Sequence, residues 1–195
     1  SSETPKDLLG GTEGVLVVDG YTGYNAVTDV NGRIRAACLA HVRRKFFDAR
    51  AERPELMDEV LVLILDVYRV EHEALARGIV RTKAHQELRS TKGRAAMDAL
   101  KTWLDAHKDA FAPRSSRVGK AIGYALDNWA HLTVFLDDVH VPIDNNASER
   151  DLRLIAKGRD NWMFAGNDEA AEKLVALLSL AVSCEANRIN PEDSV

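Results

Sequence analysis

The strongest constraint on this chain is a helical periodicity that runs from about residue 41 to 129. Leu56, Val60, Leu61, Ile64, Val67 and Tyr68 recur three and four positions apart, and Leu75 extends the same face. Pro54 suits a helix start and Gly78 a stop. A second pattern over 83–107 has Leu88, Ala96, Leu100, Trp103 and Leu104 as its inner face. A third follows Pro113 and carries Val118, Ile122, Ala125, Leu126 and Trp129. Apolar stripes of this kind are buried against one another or against a sheet, so the middle of the chain is expected to be a helical subdomain. Any strands must come from the flanks. The run Val15-Leu16-Val17-Val18 is short, β-branched and ends at Asp19-Gly20, which predicts a buried strand with an acid at its carboxyl end. Residues 24–30 suit a short helix, Asn31-Gly32 a turn, and 34–37 a second strand. Pro142 restricts 139–143 to an edge or loop. Leu152 and Ile155 continue a helix out of 144–150 until Gly158. Trp162 to Gly166 reads as an apolar loop, and Ala171, Leu174, Val175, Leu178, Ala181 and Val182 mark the inner face of a last helix. The fold class expected is α/β, predominantly helical.

Composition narrows the function classes. With 195 residues, 46% hydrophobic and 29% charged, the chain can bury a core as one domain, or one with an insertion, and is not generally disordered. A net charge of −4 excludes a uniformly basic nucleic-acid coat. The charge is uneven, however. Residues 33–50 carry Arg33, Arg35, Arg43, Arg44, Lys45 and Arg50 against Asp48 alone, and 114–120 add Arg114, Arg117 and Lys120. The acids of 52–73 mask these two patches. The richest apolar runs, 60–65 and 174–184, are too short to span a bilayer, and residues 1–14 carry no apolar export signal. Cys38 and Cys184 cannot build a disulfide framework or a four-cysteine zinc site, so a cytoplasmic setting is expected.

Few residues invite chemistry. Asp19 stands where parallel sheets place active-site groups, and a rigid carboxylate there suits a hard cation; taken alone, an ordinary turn aspartate before Gly20 is the plainer reading. Glu149 lies in the first turn of an expected helix. The spacing Asn146-x-x-Glu149 also fits a capping box. Arg150, Arg153 and Lys157 share one face of that helix, as phosphate contacts would, although Asp151 and Asp160 are interleaved. Cys38-Leu39-Ala40-His41 pairs metal-ligand types without a second pair nearby, which argues against zinc; a small buried Cys with a His at a helix start is the plain reading, and His41 also suits an acid/base or phosphate contact. Trp162 and Phe164, beside Arg159 and Asn161, suit base stacking or plain core filling. No nucleophile elbow and no phosphate-binding glycine loop occurs.

Four motifs in series carry a resemblance. They are Asp19-Gly20-Tyr21 with Tyr24-Asn25, then Cys38-Leu39-Ala40-His41-Val42-Arg43-Arg44-Lys45-Phe46, then Pro142-Ile143-Asp144-Asn145-Asn146-Ala147-Ser148-Glu149-Arg150, then Gly158-Arg159-Asp160-Asn161-Trp162-Met163-Phe164-Ala165-Gly166. In this order they resemble the catalytic region of insertion-sequence-66 transposases, over residues 8–191. The resemblance implies a DDE-class enzyme on a ribonuclease-H-like sheet. In that class two aspartates and a glutamate hold two Mg²⁺ ions, with Mn²⁺ as substitute, for cleavage and strand transfer at a DNA phosphodiester.

Carried over by position, Asp19 resembles the second aspartate and Glu149 the glutamate, both as metal ligands. His41, Arg43, Arg44, Lys45, Arg150, Arg153 and Arg159 are the implied DNA contacts. The implied layout is a partial ribonuclease-H-like segment over 1–40, a helical insertion over 41–138, and catalytic helices over 139–195. The implied partners are transposon ends and target DNA, with self-association on DNA in a bacterial cytoplasm and no membrane. The first aspartate and the first strands are expected upstream of Asp19. Asp7, in a polar Pro/Gly-flanked segment, does not replace them. Where the family has Arg-Lys-Asn-Trp, this chain has Arg159-Asp160-Asn161-Trp162, a charge reversal. The expectation is a transposase fragment that is inactive by itself. The alternatives are a non-catalytic DNA-binding or partner-binding remnant acting through 33–50, and a helical interaction module.

Overall fold

The computed structural model describes residues 13–19, 24–28, 33–112, 114–146, 149 and 150. The readings made on Arg153, Arg159, Trp162, Phe164 and the last helix lie outside these residues. The chain forms two compact units, Ser1–Asn145 and Asn146–Val195. All elements named below belong to the first.

Two parallel strands, β1 (Val15–Val18) and β2 (Ile34–Ala37), pair with Val15 opposite Ile34 and Val18 opposite Ala37. The crossover between them includes a single helical turn, α1 (Asn25–Thr28). Both strands fall where the β-branched and apolar runs predict them. The pairing brings Asp19 and Cys38 to one end, the carboxyl end, and the Cys38 N–H donates to the Val18 carbonyl (3.1 Å). On the other edge of β2, His131 Nδ1–H donates to the Arg35 carbonyl (3.2 Å).

Helices supply most of the core. α2 (Leu39–Ala49) buries Leu39, Val42, Phe46 and Ala49. α3 (Pro54–Ala76) starts with Pro54, whose missing N–H has no intrahelical role at that position. It buries Met57, Val60, Ile64, Val67, Val70 and Ala74. Leu75 does not extend this face as expected: it is 68% exposed. The buried stripe passes from Val67 through Val70 to Ala74, and Leu75 lies a further 100° around the helix. Gly78, at φ 64°, ends the helix in a Schellman turn, with Ile79 N–H on the Ala74 carbonyl and Gly78 N–H on that of Leu75. A side chain at that φ would be strained, which is why glycine marks the stop.

The second periodic stretch is helical throughout but not uniformly α. α4 (Lys83–Leu88) passes into a π-helical turn at Arg89–Gly93 and then into α5 (Arg94–His107). Its inner face is Leu88, Met97, Leu100 and Leu104, with Ala96 and Trp103 partly buried. α6 (Arg117–Asp127) begins at Ser116, whose hydroxyl caps the Gly119 N–H (3.0 Å). The Glu52 carboxylate also accepts the Arg117 N–H at 3.0 and 3.1 Å, a negative charge placed at a helix N-terminus. The third pattern breaks at Asn128, and a short α7 (Trp129–Leu132) and a 3₁₀ turn, Val134–Leu136, follow. Residues 137–145 form a loop, one of the two outcomes that Pro142 allows. One apolar cluster joins Ala36 and Ala37 of β2 to α2, α3, α5 and α6. No helix among the described residues is long and apolar enough to cross a membrane.

Candidate functional site

The carboxyl end of the strand pair gathers the chemistry. Asp19 follows β1, and Arg35 of β2 reaches across to it, donating from Nη2 to the Asp19 carbonyl (3.0 Å). Cys38 follows β2 and stands at the start of α2. The loop that ends the first unit closes on the same point. Its Ile143 carbonyl accepts the Leu39 N–H (3.0 Å), and the Asn145 N–H approaches Cys38 Sγ (3.5 Å). Tyr68, from the middle of α3, donates its hydroxyl to Asp144 Oδ2 (3.1 Å). Asp19, Cys38, Asp144 and Asn145 are thus brought to one end of the sheet by residues far apart in sequence.

Burial decides the protonation of two of these groups. The Tyr68 hydroxyl is pushed well above the usual phenol range, first by desolvation and then by the Asp144 charge that it faces. It therefore stays a hydrogen-bond donor to Asp144 at any physiological pH. Desolvation likewise pushes the Cys38 thiol up, partly offset by the backbone N–H groups of Asn145, His41 and Ala40. A neutral, buried thiol is a poor nucleophile and a poor soft-metal ligand. In the native protein at pH 8, alkylation of Cys38 by iodoacetamide is expected to be about tenfold or more slower than in the urea-unfolded chain. Peptide mass mapping checks this, and equal rates would show the thiol to be open and ionised.

The donors here are hard. Asp19 and Asp144 offer carboxylates, and Asn145 Oδ1 is buried with no donor reaching it among the described residues. Oxygen donors of this kind suit Mg²⁺ rather than zinc. Among the described residues no three His, Cys, Asp or Glu side chains converge as a complete metal cluster. Glu149 is half-buried and Arg150 exposed on helical backbone in the second unit. The Tyr68 contact is invisible to sequence reasoning, because Tyr68 scans as one more apolar position on the inner face of α3.

The basic residues divide sharply. His41 is half-buried in the first turn of α2. Arg43 and Arg44 are exposed on α2 and form no ion pair among the described residues. Lys45 is exposed but lies over the Tyr124 ring, 4.4 Å from its centroid. The stretch 33–50 is therefore not one continuous patch. Arg33 is buried and donates to the Val27 carbonyl (3.3 Å), and Arg50 is held by Asp58 (2.6 Å). In the second stretch Arg114 pairs with Asp127 and Arg117 lies beside Glu52. Local counting of charge missed this because the neutralising acids come from other elements.

Comparison with known proteins bears on this arrangement. Two proteins of Sinorhizobium fredii, called uncharacterized protein y4jD and uncharacterized protein y4hP, are each 33% identical to the chain. The matches cover 98% and 97% of the chain. The chain spans about 38% and 37% of their lengths. No solved structure matches it significantly. The sequence model of the family described as "Transposase IS66 family" matches residues 1–173, so the chain belongs to the IS66 family of transposases.

Proposed function

We propose that this chain is part of a DDE-type transposase that cuts and joins DNA at the ends of an insertion sequence, on a ribonuclease-H-like sheet of which β1 and β2 are two strands. The observation that carries the reading is the position of Asp19. It stands at the carboxyl end of a parallel strand, beside Cys38 and the Asp144-Asn145 loop, in a chain of a transposase family. Asp19 and Glu149 would hold Mg²⁺, or Mn²⁺ in its place, and a further aspartate would come from sequence outside this chain. A bound metal pair supplies activation of the attacking oxygen and charge relief at the leaving oxygen. The chain's own residues do the rest. Arg35 fixes the strand end that carries Asp19, and the Tyr68 hydroxyl holds the Asp144 carboxylate in place. Arg43 and Arg44, exposed and unpaired by acids among the described residues, take DNA phosphates, with His41, Lys45, Arg150, Arg153 and Arg159 as further contacts. The layout 1–40, 41–138 and 139–195, self-association on DNA and a cytoplasmic setting belong to the same proposal.

The test uses a full-length transposase of this family that contains the region. Asp19→Asn and Glu149→Gln are each expected to lower Mg²⁺-dependent cleavage of an element end by about a thousandfold or more. DNA affinity should stay within about threefold. The present chain is expected to bind DNA without cutting it, because two carboxylates hold a metal pair poorly. Replacing Arg43 and Arg44 together by alanine should reduce the slope of log affinity against log salt by about two. Cleavage that survives Asp19→Asn overturns the catalytic reading. Salt-dependent binding without cleavage in the full-length protein would instead favour the DNA-binding remnant.

A further inference from the structure

Residues 135–141 are a segment without strand or α-helix, so their carbonyls need partners from elsewhere. Four of them are taken by two side chains of one helix. Gln86 Nε2 donates to the Leu136 carbonyl (2.7 Å). Arg89 Nη1 donates to the carbonyls of Phe135 (2.9 Å), Asp138 (3.0 Å) and Val141 (2.9 Å). Nη1 has two hydrogens for three acceptors, so one of these bonds is shared. The other edge of the guanidinium meets Glu71 of α3 as a two-bond fork, at 2.8 and 2.7 Å. Arg89 is 2% exposed. Glu71 is itself held by His85 Nε2 (3.2 Å), while His85 Nδ1 accepts the Arg81 N–H. A neutral His85 satisfies both bonds.

The backbone is built for this grip. Arg89 opens the π-helical turn, a widening of the helix that recurs at functional sites. Ser90 and Thr91 turn their hydroxyls back onto the Gln86 and Glu87 carbonyls (2.8 Å each). Gly93 closes the turn against Leu136, where a Cβ would stand 3.2 Å from Leu136 Cδ2. The gripped segment then runs directly into Ile143, Asp144 and Asn145, whose contacts to Leu39, Tyr68 and Cys38 define the candidate site.

We infer that Arg89, clamped by Glu71 and assisted by Gln86, is a positioning residue that fixes the 135–141 strap and so sets the placement of Asp144 and Asn145 at the carboxyl end of the sheet. The inference rests on the proposed function, because the strap delivers the segment that leads to Glu149. Surface pairs do not share this role. Arg94, five residues on, holds Asp137 at an exposed site and fixes no main chain.

The test compares Arg89→Lys, Gln86→Ala and, as control, Arg94→Ala in this chain. Lysine keeps the charge but cannot form a carboxylate fork and reach three carbonyls together. In Arg89→Lys, amide hydrogen exchange at Leu39, Val141 and Asn145 should quicken about tenfold or more, while Val42, Phe46 and Ile122 stay within about twofold. The ¹³Cζ signal of Tyr68 should move toward that of a solvated tyrosine, which records loss of the Asp144 bond. Gln86→Ala should act in the same direction and less strongly, and it carries the test if Arg89→Lys does not fold. Arg94→Ala should change neither readout. Uniform acceleration across all six amides, or no change at Asn145 and Tyr68, overturns the inference. These readouts need no cleavage activity, so failure of the positioning role and failure of the catalytic reading are separable.

Discussion

Glu71→Ala is expected to destabilise the first unit by about 3–5 kcal/mol, the range for breaking one side of a buried ion pair. The substitution leaves the Arg89 guanidinium inside the protein without a counter-charge, facing carbonyl oxygens and the Phe135 ring. It also strips His85 Nε2 of its acceptor. Neither group can reach water, since Arg89 is 2% and His85 1% exposed. Asp58→Ala removes an equally short pair, but both partners are about half exposed. Solvent screens that pair, so its loss should shift stability far less than the loss of Glu71. Urea unfolding checks both through the midpoint, provided the slope is unchanged. Equal shifts for the two variants would mean that Glu71 does not neutralise Arg89.

Phe46→Ala is expected to cost about 3–5 kcal/mol for a different reason. Phe46 is wholly buried in the middle of the α2 stripe and meets Trp103 of α5 edge-on, with centroids 6.1 Å apart and planes at 85°. Alanine leaves a cavity in the cluster that joins α2 to α5 and loses the aromatic contact. Its neighbour supplies the comparison. Phe47 is 55% exposed, so Phe47→Ala should stay within about 0.5 kcal/mol. Thermal or urea denaturation of the two variants distinguishes them. A Phe46→Ala chain as stable as Phe47→Ala would place Phe46 outside the cooperative core.

The two predictions also show where sequence reasoning reaches and where it stops. Phe46 belongs to a periodic stripe, and such stripes are legible because a helix must hide its apolar side. The strands Val15–Val18 and Ile34–Ala37 are legible for the same reason, as short apolar runs bounded by turn residues. Spacing alone places Leu75 on the inner face, because it tolerates a drift of one residue. The Schellman turn at Gly78 instead lets the helix end with Leu75 exposed. Arg89 could not be picked out from Arg81 or Arg94 in the sequence, because its acceptors are main-chain carbonyls about fifty positions later. A carbonyl has no sequence signature. The basic stretch 33–50 misled in the opposite way, since Arg33 is buried and Arg50 is neutralised by an acid of α3.

By itself the sequence determined the class of elements, their order and the transposase motifs around Asp19, Cys38 and Asp144. Each depends on local spacing or on residue identity. Tertiary structure alone decided which charges are spent inside the fold and which remain exposed, and that Tyr68 stands against Asp144. It also decided that an interior arginine grips the strap before Asn145. Those outcomes depend on desolvation and on contacts between distant segments, and both exist only once the chain is packed.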